Sequence, residues 1–355
     1  MTMDNRGSEY LEWFKSREPS RFNLASSGVQ PYPLADLGVS LDRIEQNMPE
    51  DSLQEAIAAR SKVPPACVVV ASGTSMANYL AMGVLVEPGD EILIEHPAYE
   101  PLVAVARRYG ARIKRFQRRS DDGFRIRPEE VERSVTKQTK LIVITNLHNP
   151  TSVLTDEATL RAVGEIAKDV GAYALADEVY LECLYENACT VFHAGEQFVV
   201  TSSLTKAYGL SGLRCGWVLA EGELAKRMRW LKDLLDPALA TPAAPLSVIA
   251  LGQLDRIGSR AKSRLDTNRA VLHSFLDSRP DLEAVRPQFG TSVFPRLKHA
   301  DFEQFFALLR DRYETDVVPG QFFGAPGHFR LGIVADPETF AGGLDRLGAA
   351  LDQAR

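Results

Sequence analysis

A chain of 355 residues with 45% hydrophobic and 25% charged side chains has enough apolar material for one large or two ordinary globular domains. A net charge of −6 gives no electrostatic reason to expect nucleic acid or an anionic membrane as partner. Four cysteines (Cys67, Cys183, Cys189, Cys215) without CxxC spacing argue against a disulfide scaffold or a zinc site, no apolar run reaches membrane-spanning length, and the polar start lacks a signal core, so a cytoplasmic protein is expected.

In chain order, residues 10–14 read as a short amphipathic helix and 22–28 as a strand closing in a turn at Gly28, after which Pro31 and Pro33 break regular structure. A helix over 52–62 follows. Short apolar strands at 67–70, 91–94, 113–116, 141–144, 172–176 and 198–201 then alternate with helices at 76–86, 99–109, 128–135 and 157–170. The basic runs Lys114-Arg115 and Arg118-Arg119, followed at once by aspartates, read as a solvated face. This alternation predicts an α/β fold, a mostly parallel sheet sandwiched by helices, with ligands beyond the carboxyl ends of the strands. A strand-like run at 217–219 and helices at 222–235 and 246–279 come next. A smaller α+β unit ends the chain, with strands expected at 283–287, 291–297, near 315 and at 328–333, and helices at 301–313 and 337–353. The expected division is a large domain, 40–245, and a small domain built from 246–355 and the N-terminal arm, 1–39.

The chemistry concentrates after the strand 198–201, in Thr201-Ser202-Ser203-Leu204-Thr205-Lys206-Ala207-Tyr208-Gly209-Leu210-Ser211-Gly212-Leu213-Arg214-Cys215-Gly216-Trp217. Burying an ammonium at a strand-to-loop corner is costly, but a desolvated lysine becomes a neutral amine that attacks carbonyls. Glycines let backbone approach a ligand, and Ser203 with Arg214 are suited to clamping a phosphate. An aldehyde cofactor bearing a phosphate, pyridoxal 5'-phosphate, fits this set. The stretch resembles the lysine signature of class I/II aminotransferases, the fold-type I enzymes dependent on that cofactor. The resemblance implies that Lys206 forms the Schiff base and that Ser203 and Arg214 hold the phosphate.

Other strand ends extend the resemblance over residues 65 to 335. After 67–70, the turn Gly73-Thr74-Ser75 opens a helix, an N-terminus suited to anions and, by resemblance, part of the phosphate site; as an isolated motif it is also an ordinary helix cap. After 91–94, Tyr99 either stacks on the cofactor ring, the family role, or packs under the next helix. In Thr145-Asn146-Leu147-His148-Asn149-Pro150-Thr151, Asn149 is implied to donate to the cofactor's phenolic oxygen, with His148 a loop residue; Ser152 stands where the family most often has glycine. After 172–176, Asp177 needs a partner, either a pyridinium nitrogen or the N-cap of the next helix, and Tyr180 is placed to donate to the phenolic oxygen. Arg330, inside the apolar strand 328–333, is implied to bind the substrate α-carboxylate as a bidentate fork, with a structural salt bridge as the plain alternative. Gly28 lies near the substrate by the same analogy.

The implied activity is transfer of an amino group from an L-amino acid to a 2-oxo acid, with Lys206, Asp177 and Tyr180 as catalytic residues, no metal, and a homodimer as the assembly. A C–S β-lyase, a decarboxylase or a cyclase would use the same lysine. A ligand-sensing regulator without turnover is disfavoured, since too few residues precede the fold for a DNA-binding domain. A dinucleotide-binding reading fails because Gly209, Gly212 and Gly216 lack the G-x-G-x-x-G spacing. The sequence departs from the family at Glu45-Gln46-Asn47-Met48-Pro49-Glu50, where many members carry a tyrosine that reaches the partner's phosphate.

Overall fold

The computed structural model describes residues 7–40, 44, 49, 51–298 and 301–354. The segment around 45–50, where the missing tyrosine was noted, lies almost wholly outside the described residues. Seven strands make the central sheet: β2 (Val68–Ser72), β3 (Glu91–His96), β4 (Arg112–Gln117), β5 (Thr139–Thr145), β6 (Tyr173–Asp177), β7 (Phe198–Ser203) and β8 (Cys215–Leu219). Their order is β2-β8-β7-β6-β5-β3-β4. β4, β3, β5, β6 and β7 pair in parallel, and β8 runs antiparallel to both of its neighbours, β7 and β2. The fold is therefore the expected α/β sandwich with one reversed strand. That reversal brings the start of β8, and Arg214 just before it, to the edge where the other strands end.

The strands bury both faces, which is why they read as continuous apolar runs rather than alternating ones. Val68, Leu93, Ile142, Ala174, Val200 and Trp217 belong to one core layer, and Val69, Ile92, Val143, Leu175, Val199 and Val218 to the other. Helices cover the faces: α2 (Ser52–Ser61), α3 (Thr74–Leu85), α4 (Glu100–Arg108), α5 (Pro128–Ser134), α6 (Glu157–Val170) and α8 (Gly222–Leu235), with α7 (Thr205–Tyr208) a single turn after β7. Each fully buried branched side chain contributes about 1.5–3 kcal/mol of apolar transfer.

The helix expected over 246–279 is two, α9 (Ala243–Leu251) and α10 (Leu254–Asp277), interrupted at Gly252-Gln253. α10 starts in the sheet's core with Leu254 and Ile257 and ends in a second core with Leu265, Leu272 and Leu276. That second core is closed by α11 (Phe302–Asp311), α12 (Pro337–Gln353) and short strands: β10 (Ser292–Val293), β13 (Val318–Pro319) and β14 (Phe329–Gly332) form one sheet, and β9 (Leu282–Glu283) pairs with β11 (Arg296–Leu297). The strand read at 291–297 is split at Pro295, which has no N–H to continue a ladder.

The arm begins with α1 (Glu9–Ser16). Only Phe22–Asn23 of the expected 22–28 strand is regular (β1), and it pairs in parallel with β12 (Thr315–Asp316). Beyond it the backbone bonds to two partners in turn: Gly332 N donates to Leu24 O, and Val29 N donates to Lys206 O at 2.9 Å.

Candidate active site

Strand ends bring the sequence-predicted residues to one place. β5 stops at Thr145, β6 at Asp177 and β7 at Ser203, with Thr145 opposite Asp177 and Asp177 opposite Thr201 in register. Beyond β7 the chain makes the single turn α7, which carries Lys206. Burial is the main cause lowering the Lys206 amine below the ordinary lysine value; Arg330 and Arg214 add to the depression and Asp177 opposes it. Gly28 lies against this turn: a Cβ there would sit 3.3 Å from Lys206 Cδ. Gly209, in left-handed backbone, takes the arm just as closely, since a Cβ would fall 2.2 Å from Gln30 O.

At the β2 end, Gly73 (φ 88°) turns into α3, and a Cβ on it would collide with Arg214 Nη2 at 2.6 Å. Gly216 is pressed against the same turn, its added Cβ 2.5 Å from Gly73 C. Arg214 itself adopts φ 51°, which brings Nη2 to Ser72 O at 3.0 Å and Nη1 to Ser211 O at 3.4 Å. Thr74, the first residue of α3, has a buried hydroxyl with no partner among the described residues. Ser203 is fully buried and its Oγ accepts from Thr205 N at 3.3 Å, whereas Ser75 is exposed.

Asp177 is buried, and its carboxylate is held from two sides. Oδ2 accepts from Asn78 Nδ2 at 2.8 Å and Oδ1 from Val179 N at 3.1 Å. Burial raises its pKa to about 6, with Asn78, Val179 and Lys206 pulling it down. Asn78 accepts in turn from Thr201 Oγ1 at 2.6 Å. Asn78 was missed in the sequence; the signal was a polar side chain inside the apolar helix run 76–86, which must find partners when buried. Tyr180 donates to Ser27 Oγ at 2.7 Å. Tyr99 caps α4 and meets Tyr10 edge-on, with ring centroids 5.4 Å apart.

Arg330, on β14, is 1% exposed and has no ion-pair partner among the described residues. Nη1 donates to Asn149 Oδ1 at 3.1 Å, and Nη2 to Ala25 O at 3.1 Å and Tyr10 OH at 3.0 Å; Nε is buried without a partner. The salt-bridge alternative for this residue has no support in the geometry.

Behind Asn149 stands a buried network that contradicts the solvated reading of Arg118. Its Nη1 donates to Glu95 Oε2 at 2.7 Å, while Glu95 Oε1 accepts from Thr145 N and Oγ1 at 2.7 and 2.6 Å. Thr145 Oγ1 then accepts from Asn149 N at 2.9 Å. Burial works to raise Glu95 and to lower Arg118, and their pairing opposes both shifts. His148 is held well below its ordinary value by burial and by Arg118; as the neutral ring it donates Nε2–H to Pro97 O (3.0 Å) and accepts from Thr151 at Nδ1 (2.7 Å). Ser152, at the position where glycine was expected, takes φ 59° with N to His148 O at 2.6 Å, so the turn that carries Asn149 is kept at the expense of some backbone strain.

Glu178 faces away from this site. It lines a cavity of about 600 Å³ together with Arg60, Glu182, Tyr185, Tyr208 and Trp217, and Lys206 and Asp177 are not among the lining residues. Burial raises its pKa to about 8, opposed by the Val191 N–H, which Oε1 accepts at 2.8 Å. The folded state therefore binds a proton that the unfolded chain releases above its ordinary carboxyl value, so stability falls as pH rises from about 4.5 towards 8. Glu178→Gln keeps the acceptor and removes the charge. We expect unchanged melting at pH 5 and a gain on the order of 2–4 kcal/mol at pH 8, read from denaturant midpoints across pH. Equal midpoint shifts at both pH values would contradict a titrating Glu178.

The residues suit a phosphorylated pyridine aldehyde on three observations. Among the described residues, a buried carboxylate and a buried guanidinium that form no ion pair complement a cationic ring and an anionic substrate, and an unpartnered hydroxyl begins α3 next to Gly73, which abuts Arg214. Comparison with known proteins agrees. Residues 43–347 match the family described as aminotransferase class I and II. The arginine–pyruvate transaminase of Pseudomonas aeruginosa is 30% identical over 283 residues, covering 76% of this chain and 71% of that protein. Capreomycidine synthase of Streptomyces vinaceus is 26% identical over 359 residues, covering 96% and 92%. A solved PLP-dependent aminotransferase from Streptococcus suis superposes with a TM-score of 0.91 at 25% identity, covering 100% of this chain and 99% of that one. With the profile matching most of its length, the chain belongs to the class I and II aminotransferase family and is an enzyme that uses pyridoxal phosphate.

Proposed function

We propose that Lys206 carries the cofactor and that the enzyme moves the amino group of an L-amino acid to a 2-oxo acid. The observation that carries the reading is Arg330, a buried guanidinium with no carboxylate among the described residues, in the same site as the depressed amine of Lys206. Bound pyridoxal phosphate supplies an aldehyde and a ring that accepts the electrons left at the substrate Cα. Arg214, Ser203, Thr74, Ser75 and the α3 start at Gly73 would hold its phosphate; Asp177 would face the ring nitrogen, Tyr99 the ring, and Asn149 and Tyr180 the phenolic oxygen. Arg330 would bind the α-carboxylate, and Gly28, by having no side chain, lets the arm lie against the Lys206 stem. The Lys206 amine would take the proton from the substrate Cα and hold it for return. The Asp177 carboxylate would favour a protonated ring nitrogen through its charge, an electrostatic contribution in place before the proton moves.

A homodimer fits the apolar side chains exposed on α8, Trp230, Leu234 and Leu235, and a cytoplasmic location fits four unpaired cysteines. No described helix is long and apolar enough to cross a membrane. The division into a large domain, 40–245, and a small domain of 1–39 and 246–355 is supported by two separate cores, which α10 joins.

A second reading, cyclisation, is favoured by the end-to-end match to capreomycidine synthase. The discriminating experiment is purification of the yellow holoenzyme and a screen of amino donors, arginine included, with and without pyruvate. Transfer is expected to require the 2-oxo acid and to leave the cofactor in its aminated form when the acid is withheld. Conversion of a donor to a ring, an olefin or an amine at full rate without any 2-oxo acid would sink the aminotransferase reading.

A further inference from the structure

Helix α1 brings one side chain into the site. Tyr10 is 5% exposed, walled by Tyr99, Phe322 and Phe323 with ring centroids at 5.4, 5.9 and 6.3 Å. The helix is tied down at its start, where Ser8 Oγ donates to Glu100 Oε2 at the beginning of α4 and Tyr10 N donates to the same oxygen at 3.4 Å. Its hydroxyl accepts from Arg330 Nη2 at 3.0 Å, and the Arg330 carbon lies 5.7 Å from the Tyr10 ring.

A hydroxyl that accepts from a guanidinium still has its own proton to give. The Tyr10 O–H has no acceptor among the described residues, and Arg330 Nε is a second buried donor without one. Two unspent donors on adjoining groups, beside a cation that has no counter-ion, call for an anion with more than one oxygen. We infer that Tyr10 is a substrate-binding residue: its hydroxyl donates to the carboxylate held by Arg330, so that the N-terminal helix takes part in selecting substrates with a free α-carboxylate. This rests on Arg330 being the carboxylate site, and it adds a neutral donor from the opposite end of the chain. Because a carboxylate is the group that satisfies both donors, its seating also holds α1 against β14. A protonated amine offers neither donor an acceptor, and an alcohol offers a single neutral oxygen where the carboxylate offers two charged ones, so either leaves the paired donors less well met.

The test uses the holoenzyme with its best amino donor and saturating 2-oxo acid, comparing wild type, Tyr10→Phe, Arg330→Lys and the double variant. Tyr10→Phe keeps the ring packing. It is expected to raise the donor KM about tenfold with kcat within about twofold, and to melt within a few degrees of wild type. In the Arg330→Lys background, where the carboxylate is no longer forked, the same change is expected to raise KM less than threefold. Inhibition constants for a simple carboxylate and its matching primary alcohol give a second readout: Tyr10→Phe weakens the carboxylate by more than it weakens the alcohol. An unchanged donor KM in Tyr10→Phe, a fall confined to kcat, or full additivity with Arg330→Lys would overturn the assignment. These outcomes are separate from failure of the aminotransferase reading, which appears as wild type itself giving no transfer dependent on the 2-oxo acid.

Discussion

Lys206→Ala is expected to abolish turnover, lowering kcat by about 10⁴-fold or more, the sum of a lost nucleophile and a lost general base. The argument is local. Lys206 is the amine that the turn after β7 delivers to the carboxyl edge of the sheet, and burial lowers its pKa, the direction that favours the neutral, reactive amine. The variant is also expected to lose the visible band of the bound cofactor, and borohydride treatment should leave its mass without a covalent adduct. The fold should survive, because the stem of Lys206 packs on the backbone of Gly28 and truncation there leaves the neighbouring Val29 N to Lys206 O bond intact. Turnover within tenfold of wild type would remove Lys206 from the reaction.

Asp177→Asn is expected to lower kcat by about 10² to 10³, the range for one preorganised electrostatic group. The substitution preserves shape, but one amide oxygen replaces two accepting oxygens, so the loss combines the charge with one of the bonds from Asn78 and Val179. The bare site adds a pH signature. Burial raises Asp177 to about 6, above the ordinary carboxyl value, so the ionised form costs the bare fold stability at neutral pH and the cost is relieved on acidification. A cationic ring nitrogen removes the same cost by pairing. Cofactor affinity in wild type should therefore fall as pH drops through about 6, where Asp177 takes up a proton, and the Asn variant should lack that limb. Titration of the apoprotein by absorbance at pH 5, 6, 7 and 8 reads both; parallel affinity curves for the two proteins would exclude Asp177 as the charge partner.

Much of the sheet was legible because its strands are buried on both faces and appear as short apolar runs, and helices 157–170, 222–235 and 337–353 coincide with their periodic segments. What could not be read was set by tertiary placement. The reversal of β8 leaves no local mark. The 22–28 strand shrank to two residues because the arm leaves its partner β12 and bonds onward to β14 and the lysine turn. Arg118 looked solvated since its counter-ion, Glu95, lies on another strand. Lys206, Asp177 and Arg330 were visible as charges at the ends or within apolar strands, an expensive placement that demands a use. Tyr10 carried no such mark: a tyrosine in an amphipathic helix is unexceptional until its hydroxyl is found on a buried guanidinium.

The pairing of Phe22–Asn23 with Thr315–Asp316 has a consequence for biosynthesis. During synthesis Phe22–Asn23 waits for a mate 293 residues behind it (22 to 315), and the seam that also encloses the lysine can close only after Thr315–Asp316 has left the ribosome. Nascent polypeptides that end before residue 315 carry the residues proposed to hold the cofactor on the central sheet but neither the arm's docking strand nor Arg330, so the proposed carboxylate site is assembled only after the sheet.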